Sequence, residues 1–282
     1  ASWWSAEESA YGEGLFRPMT VTTRVDTVAG GSILRLAITD ERWLSRTWTP
    51  IIPDHGKMMH MFLVRVPDMD VFAHLHPTYA GADTFRLSLP RLPEGRYALY
   101  GDIVHESGFA QTLTDTVTIP VAPASAQAAD ADDSWWSRDL ATGTSSSMIT
   151  FDDGVTLTWQ RPDRIVEGVE LELRFDARTA DGSAAALEYY MGMPAHGAVR
   201  RDDGSVFVHL HPTGTISMAA QQRQAAFTMS DHAAHAEPAI AAPPVVAIPY
   251  AFPQAGRYRL WVQVRVDGVV RTGAWDLDVE AR

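Results

Sequence analysis

The stretch of sequence that decides the fold occurs twice. Residues 71–77 read Val-Phe-Ala-His-Leu-His-Pro, and residues 206–212 read Val-Phe-Val-His-Leu-His-Pro. Apolar residues alternate with a Phe-x-His-x-His series, and in a β-strand residues i and i+2 point to the same face. The closing proline cannot donate a hydrogen bond to a sheet, so it ends each strand. We therefore expect each half of the chain to contain a strand that presents two histidines on one face.

Other features repeat in the same order. The Ser-Trp-Trp-Ser of residues 2–5 returns at residues 134–137, and the Gly-Arg-Tyr of residues 95–97 returns at residues 256–258. Matched features in one order indicate a tandem duplication. The second copy is longer after its His-Leu-His-Pro, which places a long inserted loop, rich in Ala and Pro, at about residues 213–253. Loops of this length tend to be functional, so we expect a docking loop.

The predicted fold class is all-β, with two tandem antiparallel β-sandwich domains that arise from the internal duplication. Short runs of β-forming residues alternate with Gly, Pro and Asp, and no long helical period favours a parallel α/β fold. The predicted boundaries are residues 1–122 for the first sandwich and 134–282 for the second. Residues 123–133 contain no aromatic side chain and are predicted to form a flexible linker.

Composition excludes several function classes. A chain of 282 residues can bury two cores without disulfides. The absence of cysteine excludes thiolate catalysis, iron–sulfur ligation and a blue-copper centre with a Cys ligand. A net charge of −12 argues against nucleic acid as a partner. No apolar run is long enough to predict a transmembrane span. The start at Ala1 is compatible with a mature end left by a signal peptidase.

A further histidine lies 13 or 14 residues upstream of the first histidine in each His-x-His strand. Residues 67–70 and 202–204 have the composition of turns, so a hairpin would fold the upstream histidine back beside the pair. Three imidazoles on two neighbouring strands can converge on one ion. The two candidate metal sites comprise six histidines: His60, His74, His76, His196, His209 and His211.

Methionines near these histidines extend the candidate ligand set to Met59, Met193 and Met218. Imidazole together with thioether is the ligand set of copper. Zinc is the second candidate, because three histidines and a water satisfy it. The alternative is a structural role, in which the imidazoles bond to backbone carbonyls inside a β core and the protein holds no cofactor.

Four histidines lie outside these sites. His55 and His105 have no counterpart in the second half, and we expect His105 to line a loop. His232 and His235 are three residues apart in the insertion, where an exposed loop is expected. The repeated Trp pairs either cover their own sandwich, which we favour, or belong to a protein interface.

The blocks around the histidines carry a resemblance. Residues 191–196 read Met-Gly-Met-Pro-Ala-His, residues 203–212 read Asp-Gly-Ser-Val-Phe-Val-His-Leu-His-Pro, and Gly-Thr-Ile-Ser-Met-Ala-Ala follows at residues 214–220. Together they resemble a group of bacterial secreted or periplasmic proteins, mostly uncharacterised, with the same His-x-His-Pro block. Residues 59–64 with 72–77 are similar to a related cupredoxin-like or immunoglobulin-like module, and proteins with such modules are often suspected of copper handling. The resemblance implies an exported tandem β-sandwich protein, periplasmic or secreted.

Two functions follow from these observations. The first is a periplasmic, non-catalytic metal-binding module that binds or delivers copper through its His-x-His strands. The alternative is a structural accessory subunit on the periplasmic face of a membrane-bound respiratory or photosynthetic electron-transfer complex, with structural histidines. Both functions imply protein partners. An enzyme is not expected, because no nucleophile with a positioned base is visible in the sequence. Carbohydrate binding through exposed Trp is a weaker option.

Overall fold

A computed structural model describes most of the chain. The described residues are 18–81, 83–121, 130–137, 146–215, 218–219 and 242–282. The predictions made above for the Trp pair of residues 3–4 and for His232 and His235 lie outside them. Within the described residues, the one α-helix with at least one full turn is α1 (Glu41–Leu44), and no helix there has the length and apolar character to cross a membrane.

The first half forms two antiparallel sheets. Its strands are β1 (Val21–Val28), β2 (Gly31–Ile38), β3 (Ile51–Ile52), β4 (His60–Arg65), β5 (Val71–Leu75), β6 (Thr78–Tyr79), β7 (Thr84–Ser88), β8 (Gly95–His105) and β9 (Ala110–Ile119). One sheet has the order β1-β2-β7-β6. The other runs β5-β4-β8, and both β3 and β9 pair with β8.

The second half forms two further antiparallel sheets. Its strands are β10 (Ser134–Ser137), β11 (Met148–Thr150), β12 (Thr156–Trp159), β13 (Glu170–Arg178), β14 (His196–Arg201), β15 (Phe207–Leu210), β16 (Val245–Ala251), β17 (Gly256–Val266) and β18 (Val269–Val279). The sheet orders are β11-β12-β13-β16 and β15-β14-β17-β18. The all-β antiparallel prediction is therefore confirmed.

Alternating side chains build the core of each half. In β2, Leu34 and Leu36 are fully buried while the residues between them are half-buried. They share a core cluster with Ala73 and Leu75 of β5, which confirms that the residues between the histidines face inward. A separate core cluster fills the second half around Trp275. Each core lies between the two sheets of its own half, as expected for a sandwich.

The opposite face of β5 packs against the second half. Phe72 stacks on Trp261 with ring centroids 4.7 Å apart, and Tyr100 stacks on Phe207 at 3.8 Å. These residues belong to a third apolar cluster, made from both halves. Strands β4 and β5 are therefore buried on both faces. The two sandwiches meet in an interface that contains the His-x-His strands.

Two details differ from the predicted boundaries. Strand β10, predicted to open the second sandwich, pairs with β5 and completes the six-stranded sheet of the first half. Strand β16 lies inside the predicted loop of residues 213–253 and pairs with β13. Residues 130–133, the described part of the predicted flexible linker, are tied to the first half. Lys57 Nζ, for example, lies 2.6 Å from Asp130 Oδ1 and 2.9 Å from Asp132 Oδ2.

Candidate metal centre

The predicted hairpins bring the six histidines together as two triads. Strand β4 pairs antiparallel with β5, and β14 pairs antiparallel with β15. Each triad offers one ring nitrogen per histidine, and these nitrogens lie within 4.8 Å of one another. The first triad is His60, His74 and His76; the second triad is His196, His209 and His211. These groups could hold a metal ion.

Hydrogen bonds fix the tautomers of two members of the first triad. His60 Nε2 lies 3.1 Å from the carbonyl oxygen of Asp54, and His74 Nδ1 lies 2.9 Å from Gln263 Oε1. Both partners are acceptors, so both of these nitrogens carry the proton. The Gln263 amide is oriented because its Nε2 donates to Ser134 Oγ at 2.6 Å. The remaining nitrogens, His60 Nδ1 and His74 Nε2, therefore face each other with lone pairs at 3.0 Å.

The third member of the first triad is fixed by a carboxylate. His76 Nδ1 lies 3.0 Å from Asp133 Oδ1, which also accepts the backbone N–H of His76 at 2.8 Å. His76 Nε2 is buried and has no hydrogen-bond partner among the described residues. A carboxylate on the far nitrogen of an imidazole is the usual support of a metal-bound histidine.

The second triad repeats this arrangement. His196 Nε2 donates to the carbonyl oxygen of Tyr190 at 2.9 Å, and His209 Nδ1 lies 3.3 Å from Asp102 Oδ2. The free nitrogens, His196 Nδ1 and His209 Nε2, face each other at 3.3 Å. His211 completes the triad, and neither of its ring nitrogens has a partner in the described part of the chain.

Burial keeps five of the six triad imidazoles neutral. Desolvation lowers the pKa of four of them well below 6.5, helped by the neighbouring histidines: His60, His74, His196 and His209. Burial likewise lowers the pKa of His211 to about 3. Burial also raises the pKa of Asp102 to about 7, against a hydrogen bond from Thr112. A neutral imidazole is the form that binds a metal.

The spacing of the facing nitrogens suits an ion. Two lone pairs at 3.0 and 3.3 Å repel each other when nothing lies between them. A tetrahedral ion bound at about 2.0–2.1 Å holds neighbouring nitrogens about 3.3 Å apart. The two triads therefore fit a metal ion in donor type, protonation state and spacing.

A tight turn supplies the carbonyl that orients each upstream histidine. In the first half the turn centres on His55 and Gly56, with φ angles of 51° and 77°. In the second half it centres on Met191 and Gly192, with the same two angles. Glycine is required at the second position because that left-handed conformation suits it best. The two halves thus orient His60 and His196, each six residues after the carbonyl, in the same way.

The predicted methionine ligands lie elsewhere or at the edge of the site. Met59 belongs to the core cluster of the first half, because it precedes His60 in the strand and points to the other face. Its role there is packing. Met193 is buried at the turn before β14, and Met218 lies against Gly192.

The sequence analysis missed a seventh histidine of the cluster. The His55 ring lies 5.2 Å from that of His196 and 4.9 Å from that of His211. Its Nδ1 donates to the carbonyl oxygen of Met191 at 2.8 Å. The sequence signal that could have identified His55 is its position, because His55 and Met191 occupy equivalent places in the two turns.

His105 lies apart from the cluster. It is fully buried, stacks on Trp48 with ring centroids 4.9 Å apart, and its Nδ1 donates to the Thr49 carbonyl oxygen at 2.8 Å. The predicted loop position is incorrect, because His105 is the last residue of β8.

A cavity of about 600 Å³ opens beside the second triad. Both halves line it, with Asp102 and Thr112 from the first and Phe207 and Thr215 from the second. His209 and His211 are also part of its wall. The cavity also reaches His60 of the first triad, so both triads border it.

Comparison with known families finds a match in the second half of the chain. Residues 149–281 match the model of a domain of unknown function (DUF8832). No curated protein matches the chain.

Several solved structures of tandem β domains align with the chain. Fibronectin(III)-like modules of CbhA from Clostridium thermocellum share 12% identity at a TM-score of 0.22, over 93% of this chain and 95% of that chain. A chimeric titin Z1Z2 shares 11% identity at a TM-score of 0.19, over 95% of this chain and 99% of that chain. Domains 1–6 of the surface layer protein SbsC share 9% identity at a TM-score of 0.23, over 100% of this chain and 57% of that chain. Such TM-scores say nothing about function, and the fold here follows from the strand pairing itself. The stretch similar to DUF8832 contains the whole second triad.

Proposed function

We propose that this protein is a non-catalytic copper-binding protein of the periplasm that buffers or delivers the ion to a protein partner. One observation carries the proposal. In the first half, two buried imidazoles point lone pairs at each other while an acceptor holds the proton on the far nitrogen of each. In the second half, His196 is held in the same way and faces His209, whose Nδ1 lies 3.3 Å from the Asp102 carboxyl group. A cation between the lone pairs satisfies this geometry.

A purely structural role of the histidines accounts less well for the facing lone pairs. Histidines that serve packing would place an N–H against a lone pair, as His105 Nδ1 does with the Thr49 carbonyl, and would not point two lone pairs at each other. His105 Nε2 is also buried without a described partner, so the facing lone pairs distinguish the two roles better than unpartnered nitrogens do. Here His76 keeps one buried nitrogen without a described partner, and His211 keeps two. Each unsatisfied buried polar atom costs about 1–3 kcal/mol. A bound ion removes that cost at His76 Nε2 and at one nitrogen of His211, since a neutral imidazole presents one lone pair to an ion.

The donor set favours copper over zinc. All six triad ligands are imidazoles, a donor type that suits copper and zinc alike. Among divalent first-row ions, affinity for such a site peaks at copper. We propose zinc as the second candidate, with water as the fourth ligand.

Binding and delivery fit the site better than turnover. The six ligands are between 0 and 8% exposed, so a substrate has little access to a bound ion. The resemblance to exported bacterial proteins supports a location outside the cytoplasm. An accessory role in a membrane-bound electron-transfer complex is compatible with metal delivery to that complex.

Metal titration tests the proposal. Chelator-treated protein is titrated with Cu(II) and Zn(II) against a competing chelator of known affinity. We expect copper to displace zinc, and we expect the double variant H60Q/H196Q to bind Cu(II) at least 100-fold more weakly. The control is H105Q, which changes a buried histidine outside the cluster and keeps full affinity. Equal affinity of the wild type and the double variant would contradict the proposal.

A further inference from the structure

The two triads lie against each other. The ring of His60 lies 5.3 Å from that of His74 in its own triad and 5.3 Å from that of His209 in the other triad. His74 and His209 lie 5.4 Å apart, whereas His60 and His196, the two upstream histidines, lie 6.4 Å apart. The closest pairs of rings across the triads are therefore spaced like pairs within one triad.

Each triad is also oriented by the opposite half. Gln263 of β17 accepts the proton of His74, which belongs to the first triad. Asp102 of β8 lies against Nδ1 of His209, which belongs to the second triad. Neither triad therefore has its full set of orienting partners unless the two halves are docked.

His55 crosses the interface as well. It comes from the first half, yet its nearest ring is that of His211, at 4.9 Å. Its Nδ1 donates to the Met191 carbonyl, so Nε2 carries a lone pair. That nitrogen is buried, lies 3.6 Å from Asp54 Oδ2, and has no hydrogen-bond partner among the residues described. A buried lone pair beside His211 is placed to serve as a further ligand of the second triad.

We propose that the two triads and His55 form one centre for two ions, shared between the halves, with His55 as an additional ligand of the ion in the second triad. This proposal rests on the proposed metal binding. It adds that the ions interact, and that each ion depends on both halves of the chain. Two copies of an isolated mononuclear site would lack both properties.

Electron paramagnetic resonance of the Cu(II)-loaded full chain tests the shared centre, with total copper measured by atomic absorption. We expect two coppers per chain, a spectrum broadened by dipolar coupling, and a half-field transition. The variants H74Q and H209Q each disable one triad. Each is expected to hold one copper and to give a sharp mononuclear spectrum without the half-field transition. H105Q is the control and keeps the wild-type spectrum.

The outcomes separate the two proposals. A two-copper spectrum equal to the sum of the two variant spectra would overturn the shared centre and leave metal binding intact. One copper per wild-type chain would overturn the two-ion centre alone. No bound copper in any form would overturn the proposed function itself.

The role of His55 is tested in the H74Q background, where one copper remains. The variant H55N keeps the left-handed backbone, which asparagine tolerates better than most residues. We expect it to remove one nitrogen from the superhyperfine pattern of the remaining copper and to weaken binding about tenfold or more. An unchanged pattern and affinity would exclude His55 from the centre.

Discussion

At the scale of the single residue, His211 best distinguishes a role of the triads in metal binding from a role in packing. It is 3% exposed, and both of its nitrogens are without hydrogen-bond partners in the described residues. The other five triad histidines each have at least one nitrogen bonded to an acceptor from protein. An imidazole buried in this way costs stability unless an ion uses its lone pair.

The metal-binding and the packing interpretations of His211 predict opposite effects when leucine replaces it. We expect the metal-free H211L protein to be as stable as the wild type or up to about 2 kcal/mol more stable, because two unsatisfied atoms disappear. We also expect copper binding at the second triad to be lost. Urea unfolding and copper stoichiometry measure the two effects. A marked loss of stability with unchanged copper content would assign His211 to packing.

Gln263 positions the first triad from the second half. Its Oε1 accepts the proton of His74, so its loss frees that ring to turn or change tautomer. We expect Q263L to weaken copper binding at the first triad by about 10–100-fold. Q263E keeps an acceptor at the same place and is expected to retain most of the affinity. If both variants behave alike, the hydrogen bond to His74 does not position the ligand.

At the scale of the element, β10 joins the two halves. It pairs with residues 71–74 of β5, with Trp136 opposite Phe72. Trp136 packs on the apolar cluster between the halves, whereas Trp135 is 42% exposed. Neighbouring residues on one strand point to opposite faces, so a substitution of Trp135 serves as the control for the same substitution of Trp136.

Alanine variants of this Trp pair are expected to differ in stability. W136A removes part of the contact between the halves and is expected to cost about 2 kcal/mol, less than a fully buried aromatic. W135A changes an exposed side chain and is expected to stay within about 0.5 kcal/mol of the wild type. Thermal and urea unfolding measure both variants. Equal destabilisation would mean that β10 contributes through its backbone pairing alone.

The sequence predicts those elements that depend on local pattern. The period of two in residues 71–77 predicts which side chains face the core, and the upstream histidines predict both hairpins. The sequence does not predict the pairing partners of β10 and β16, because a strand's partner depends on which sheet edge lies nearby. It also misplaces Met59, where strand alternation outweighs closeness in sequence. His55 and Gln263 enter the site only when the halves dock, which no local pattern encodes.

At the scale of the whole molecule, the histidine cluster is part of the joint between the two sandwiches. Phe62 stacks on His74 at 4.4 Å and contacts His209 at 4.7 Å, which connects the cluster to the apolar interface. Arg200 of the second half donates to the Tyr100 hydroxyl at 2.9 Å. Under the proposed metal binding, an ion that binds the docked arrangement links the free energy of docking to the affinity for metal.

Acid is expected to destabilise the metal-free protein. Burial lowers the pKa of five cluster histidines below 6.5: His60, His74, His196, His209 and His211. Below that pH the unfolded chain binds protons that the folded protein does not, so stability falls as pH falls. Each histidine contributes up to about 1.4 kcal/mol per pH unit. Asp102, whose pKa is raised to about 7, acts in the opposite direction but is one group against five.

Urea unfolding of chelator-treated protein at pH 7.5 and pH 5.5 measures this effect. The free energy of unfolding is expected to be lower at pH 5.5, and the mid-point of the transition to shift accordingly. Equal or greater stability at pH 5.5 would mean that the cluster histidines are not held neutral by burial.

Anomalous diffraction from crystals grown with Cu(II), collected at the copper edge, tests the central claim most directly. We predict an anomalous peak between His60 Nδ1 and His74 Nε2 and a second between His196 Nδ1 and His209 Nε2, each about 2.0 Å from those nitrogens. Copper found only on surface carboxylates, with the facing imidazoles unchanged, would contradict the claim that these triads hold metal.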